Sequence, residues 1–166
     1  MADIESQAKQ LLARAGVDAV PVPVERVADY LGIKVEMSDL GEDCSGVLVR
    51  EGDRAVIGVN WAHHSNRQRF TIAHEIGHFV LHEGETYVDK GFSVNFRDLE
   101  SGSGKKREEI QANAFAAALL MPADMVKSAF KTHRFDLADD GDDLRALAEK
   151  FGVSAQAMAI RLKDVL

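Results

Sequence analysis

Residues 65–82 read SNRQRFTIAHEIGHFVLH. Ser65 followed by Gln68 has the form of a capping box, and the helix it opens should run to about His82, roughly 25 Å. Its apolar residues (Phe70, Ile72, Ala73, Ile76, Phe79, Val80 and Leu81) fall on more than one face, which predicts a central, largely buried helix. Three histidines and a glutamate are set into this run. Imidazoles in such a place need partners for their ring nitrogens, and a metal ion is one.

The spacing divides the four side chains. At about 100° per residue, His74 and His78 face the same side one turn apart, so both can reach one ion at about 2.0 to 2.1 Å. Glu75 is turned away by one residue, near the ion without being aimed at it. A carboxylate there can act as the base that takes a proton from the attacking water. This is the mechanics of H-E-x-x-H, here His74-Glu75-Ile76-Gly77-His78. On a straight helix His82 would lie about 12 Å from His74, too far to share the ion. It is expected to be a helix-end histidine facing the dipole or the loop.

A catalytic zinc site usually has three protein ligands and an open position. The extended metzincin pattern is closed, because Leu81 and Gly84 stand where it needs a glycine and a histidine. A second long helix, predicted from about Lys106 to Leu120, offers Glu109 as the third ligand, with Glu108 as the alternative about 100° away. Asn113 shares a face with Glu109 and can accept from the far nitrogen of a ligating histidine. Ala112, Ala116 and Ala117 would let the two helices approach closely.

Composition limits the rest. The chain has 166 residues, 46% hydrophobic and 28% charged, which fits one domain with a substantial core. Within it, 1–139 reads as the core and 140–166 as a helix-turn-helix-like tail. A single cysteine, Cys44, permits no internal disulfide. The acidic start MADIESQAKQ is no signal peptide, and no run is long enough to span a bilayer, so a cytoplasmic protein without a membrane partner is expected. A net charge of −7 argues against direct nucleic-acid binding.

Around the two helices the period changes to short Val- and Ile-rich segments. IKVEM, SGVLVR and AVIGVN should be strands, with Glu51-Gly52-Asp53 as a tight hairpin link, and a further strand pair is expected around ETYVDKGFSVNF. Helices are predicted over about 3–15, 24–31, 123–131, LRALAEKFG and SAQAMAIRLKDV. The fold class is α+β: a small, mostly antiparallel sheet beside the H-E-x-x-H helix and the second ligand-bearing helix, with a C-terminal helical pair.

RQRFTIAHEIGHFVLH (67–82) and EIQANAFAAALLMP (109–122), with PVPVERVADYLGIKVE, the SGVL and AVIGVN strands and LAEKFGVSAQAMAIRL, together resemble the ImmA/IrrE family of metallopeptidases. The resemblance spans most of the chain. It implies a gluzincin-like site with His74, His78 and Glu109 as ligands and Glu75 as catalytic base. It also implies a protein substrate, an XRE-type helix-turn-helix repressor whose cleavage releases prophage, mobile-element or stress-response genes. Zinc suits the donors best, and manganese or iron would also fit them.

Tyr87, His133 and Arg134 are candidate oxyanion donors by chemistry alone, and AVIGVN is a candidate edge strand for an extended substrate. Two other readings compete. One is a DNA-binding regulator built on the C-terminal pair, whose second helix offers only Arg161 and Lys163 as cations. The other is a metal-dependent regulator or toxin–antitoxin partner that binds a repressor and cuts it rarely or only when triggered.

Overall fold

The computed structural model describes residues 2–89, 104–132 and 141–166. Helix α1 (Ala2–Arg14) and the short α2 (Val24–Tyr30) precede strands β1 (Ile33–Ser38), β2 (Gly46–Glu51) and β3 (Arg54–Asn60). Helix α3 (Ser65–Leu81) carries the metal motif and leads to β4 (Thr86–Asp89). Helices α4 (Gly104–Leu120), α5 (Ala123–Thr132), α6 (Asp142–Phe151) and α7 (Ala155–Val165) follow. This is the expected α+β architecture. The second half of the ETYVDKGFSVNF strand pair, and His133 and Arg134, lie outside the described residues.

The sheet order is β1-β3-β2-β4. The β2–β3 hairpin closes through Gly52, at φ +58°, where a residue with a side chain would be strained. β4 pairs antiparallel with β2, and β1 pairs parallel with β3. AVIGVN therefore forms an inner strand, not the edge expected for it. Its run of Ala55, Val56, Ile57, Gly58 and Val59 has the continuous apolar character of a strand flanked on both sides. Among the described residues the strands with one neighbour are β1 and β4.

Leu48, Ile57 and Ile33 belong to one buried core with Ile72, Ile76 and Phe115, so the sheet backs the α3–α4 pair. In α3 the eight residues Thr71–His78 are all buried, which accounts for apolar side chains on more than one of its faces. Its N-cap is His64, whose Nδ1 accepts from the Asn66 N–H at 3.2 Å. The expected capping box does not form. Gln68 instead donates to the carbonyls of Asn60 and Trp61, at 3.2 and 3.1 Å, closing the β3–α3 turn.

Buried Asn60 holds the β1–β2 connection in place. Its amide donates to Gly41 O at 2.7 Å and Cys44 O at 2.8 Å, and its Oδ1 accepts from the Ala62 N–H. The C-terminal pair is bonded to the rest of the chain at both ends. Arg69 of α3 donates to Gly152 O in the α6–α7 turn, and Asn66 donates to Val153 O. Arg161 of α7 is 7% exposed; its NH2 group donates to both carboxylate oxygens of Glu5 at 2.6 and 2.8 Å, and its Nε donates to Met121 O.

Candidate metal centre

Three donor atoms from two helices converge. His74 Nε2 and His78 Nε2 lie 3.1 Å apart, and the two oxygens of Glu109 lie 3.2 Å from one and 3.2 Å from the other. Ligands held about 2.0 to 2.1 Å from an ion in tetrahedral directions stand about 3.3 Å from each other, so this triangle has nearly the edge a zinc site needs. Among the described residues, His74, His78 and Glu109 are the group able to hold a metal. Glu108 is not part of it, and neither is Glu75.

The proton positions strengthen the fit. Asn113 Oδ1 lies 2.9 Å from His74 Nδ1. A carbonyl oxygen only accepts, so a neutral His74 carries its proton on Nδ1 and leaves Nε2 bare. Two imidazole lone pairs and a carboxylate aimed at one centre require a cation there, whether metal or proton. Burial pushes the Glu109 carboxyl up, but hydrogen bonds and charge from His74 and His78 outweigh it and bring it down to about 2. Burial holds the His78 imidazole below its ordinary value; a hydrogen bond to the Glu109 carboxylate opposes this, and the His74 charge adds to it.

The two histidines are 1% exposed, whereas the Glu109 side chain is 45% exposed. One flank of the triangle thus faces solvent, as a catalytic site with an open coordination position requires and a closed structural site does not.

The local chain explains the convergence. Gly77 lets α4 come close to α3, since a Cβ there would press on the Ala112 backbone at 3.1 Å. Glu75 is fully buried and lies beneath the start of β2. A Cβ on Gly46 would collide with the Thr71 methyl and come 3.3 Å from Glu75 Oε1, so a glycine is needed where the strand crosses the helix.

Arg50 was not anticipated from the sequence, and His82 and Tyr87 make contacts other than those expected of them. His82 turns back instead of facing the loop, placing its Nδ1 3.0 Å from His78 Nδ1 and its Nε2 3.1 Å from Gln111 Oε1. His82 is the C-cap of α3, with extended backbone (φ −128°, ψ 153°), and it stays outside the ligand set as expected. Tyr87 stacks on the His78 ring with centroids 4.2 Å apart, and its hydroxyl accepts from the Gly84 N–H at 2.9 Å. Arg50 of β2 donates to the carbonyls of His78, Phe79 and His82 and lies over the Phe79 ring, placing a cation at the negative end of α3. Only the alternation of β2, which sets Arg50 two residues beyond buried Leu48, hinted that it faces the helix.

The chain belongs to the family of peptidases described as the IrrE N-terminal-like domain, whose model matches residues 28–163. It is 34% identical over 110 residues to the radiation response metalloprotease IrrE of Deinococcus radiodurans; the match covers 66% of this chain and 31% of that protein. The chain therefore aligns with about a third of that relative's length. A Mycobacterium tuberculosis transcriptional regulator has a similar fold, with a TM-score of 0.65 at 20% identity over 98% of this chain and 47% of that one.

Proposed function

We propose that the chain is a zinc-dependent endopeptidase of the gluzincin type, with His74, His78 and Glu109 as ligands and Glu75 as general base. The observation that carries this is the triangle of bare donor atoms, 3.1 to 3.2 Å on a side and open to solvent at Glu109. Bound there, zinc supplies a Lewis acid that activates water and polarises the scissile carbonyl. Glu75, held under Gly46, takes the proton from the attacking water and delivers it to the leaving amine. Asn113 fixes the His74 ring.

Family membership and the likeness to a radiation response metalloprotease support a protein substrate, which we take to be a helix-turn-helix repressor of the XRE type in the cytoplasm, cleaved at one site. Among the described residues β4 is the edge strand beside the site, because Tyr87 on that strand touches the His78 ring. An extended substrate segment would add to that edge, not to AVIGVN. We read 1–166 as one unit, and the Glu5–Arg161 pair supports this. That pair also weighs against the DNA-binding alternative, since one of the two cations on α7 is already spent inside the fold.

Purified protein incubated with a candidate XRE-type repressor from the same genome, with and without zinc or manganese, tests the reading. Glu75→Gln should retain stoichiometric metal and lose cleavage. Full cleavage by that variant would overturn the mechanism. A repressor bound but never cut by the wild type would favour the non-enzymatic regulator.

No helix among the described residues is long and apolar enough to cross a membrane.

A further inference from the structure

His82 and Gln111 have no place in the ligand set or the base, yet they form a partly buried chain that ends on a ligand. We propose that Gln111, acting through His82, fixes the proton of His78 on Nδ1 and so presents Nε2 as a metal donor. The inference rests on the metal-site reading above and extends it to two positioning residues.

The direction of the chain follows from its last atom. Gln111 Oε1, 3.1 Å from His82 Nε2, is a carbonyl oxygen and can only accept. His82 must therefore carry its proton on Nε2, which leaves its Nδ1 bare. That bare nitrogen lies 3.0 Å from His78 Nδ1, so His78 must be the donor between them. With its proton committed to Nδ1, neutral His78 has its lone pair on Nε2, the atom 3.2 Å from Glu109. No other arrangement of neutral rings satisfies both hydrogen bonds of the chain, and this one leaves His78 Nε2 and Glu109 facing each other across the place a cation would take.

The chain is also held rigidly. His82 is 9% exposed, so water does not readily replace either of its contacts. Arg50 binds its carbonyl at 2.9 Å, and the His82 N–H bonds His78 O at 3.0 Å. Tyr87 covers the His78 ring, with its own ring 5.9 Å from that of His82. The two ligating histidines are thus treated alike by α4. Asn113 sets His74 directly, and Gln111 sets His78 through one intervening ring.

Groups behind a ligating histidine typically matter about 10- to 100-fold in metal affinity. In competition with a chromophoric chelator, His82→Phe should bind zinc about tenfold or more weakly than wild type. Gln111→Leu, which keeps His82 but removes the acceptor, should also weaken binding. Gln111→Glu should restore it, because a carboxylate accepts in the same place. The visible bands of the cobalt(II)-loaded protein should shift in the first two variants and return in the third.

Thermal unfolding of the metal-free variants separates simple misfolding from the proposed role. Equal affinity and unchanged cobalt bands in a folded Gln111→Leu protein would overturn the chain while leaving the metal site intact. Wild-type protein that takes up no zinc or cobalt would instead overturn the metal-site reading, and this inference with it.

Discussion

Gly77 of α3 and Ala112 of α4 meet backbone to backbone: a Cβ on Gly77 would come 3.1 Å from both the Cα and the carbonyl oxygen of Ala112. The distance between the histidine helix and the glutamate helix is set at this contact. Gly77→Ala gains about 1 kcal/mol of helix propensity, but the new methyl group presses on backbone that cannot rotate away. The expected result is an unfolding midpoint close to wild type together with zinc affinity reduced about tenfold, as for a ligand displaced by a fraction of an ångström. A chelator-competition titration beside a thermal melt checks the pairing; undiminished affinity would show that the helices can part without cost.

Acidification should weaken the metal-free protein in two stages. His78 and Glu109 both have folded values below their ordinary ones of 6.5 and 4.5. In each case the unfolded chain takes up the proton more readily, so the stabilising contribution is present above the ordinary value and lost below it. The His78 contribution should begin to fail as pH drops through 6.5, and that of Glu109 between 4.5 and about 2. Urea midpoints in the presence of a chelator, compared between wild type and Glu109→Gln, should converge toward the acid end. A gap that stays constant below pH 4.5 would exclude Glu109 as the source.

Metal uptake should compete with protons for the donor atoms. Zinc binding measured calorimetrically in buffers of different ionisation enthalpy should release protons at acid pH and fewer as His78 becomes neutral. Release independent of pH would mean that the histidines are not the groups displaced.

Arg50→Leu removes the donor to three carbonyls at the end of α3, together with the contact over Phe79. The cost should be about 2–3 kcal/mol, that of charge-assisted bonds left without a donor in a partly buried place. Arg50→Lys should recover little, because a single ammonium cannot reproduce the planar fork. Amide exchange near residues 78–82 should accelerate in both variants.

Arg161→Met tests the C-terminal pair. It leaves Glu5 and the Met121 carbonyl without their donor, and the loss should be about 2–3 kcal/mol, below the full cost for a buried pair because Glu5 is 38% exposed. Binding to generic DNA at low salt should be negligible before and after the change. A gel shift abolished by the substitution would revive the DNA-binding reading.

The metal motif was legible because its periodicity is local: positions 74 and 78 share a face in any α-helix, and positions 109 and 113 likewise. Alanine at 112 was legible as a sign of close approach, although its partner, Gly77, lies inside the motif itself. His82 was legible as a helix-end residue outside the ligand set, but its contact with His78 Nδ1 was not, because that depends on how the ring turns at the end of the helix. The position of AVIGVN was misread despite its uninterrupted apolar run, since the parallel pairing with β1 depends on a connection the periodicity does not describe. Arg50 depended on how the sheet lies across the helix, a tertiary relation with no short-range pattern.

Asn60 touches none of the groups that would hold the metal or move the proton, yet it ties down the connection that delivers Ser45 and Gly46 to the roof over Glu75. Ser45 in turn accepts from Arg67, one turn before Thr71 on the motif helix. A genetic screen for inactive variants should therefore return position 60 beside 74, 75, 78 and 109. A map of such hits drawn on the sequence would place part of the candidate active site fourteen residues upstream of His74, where the motif begins.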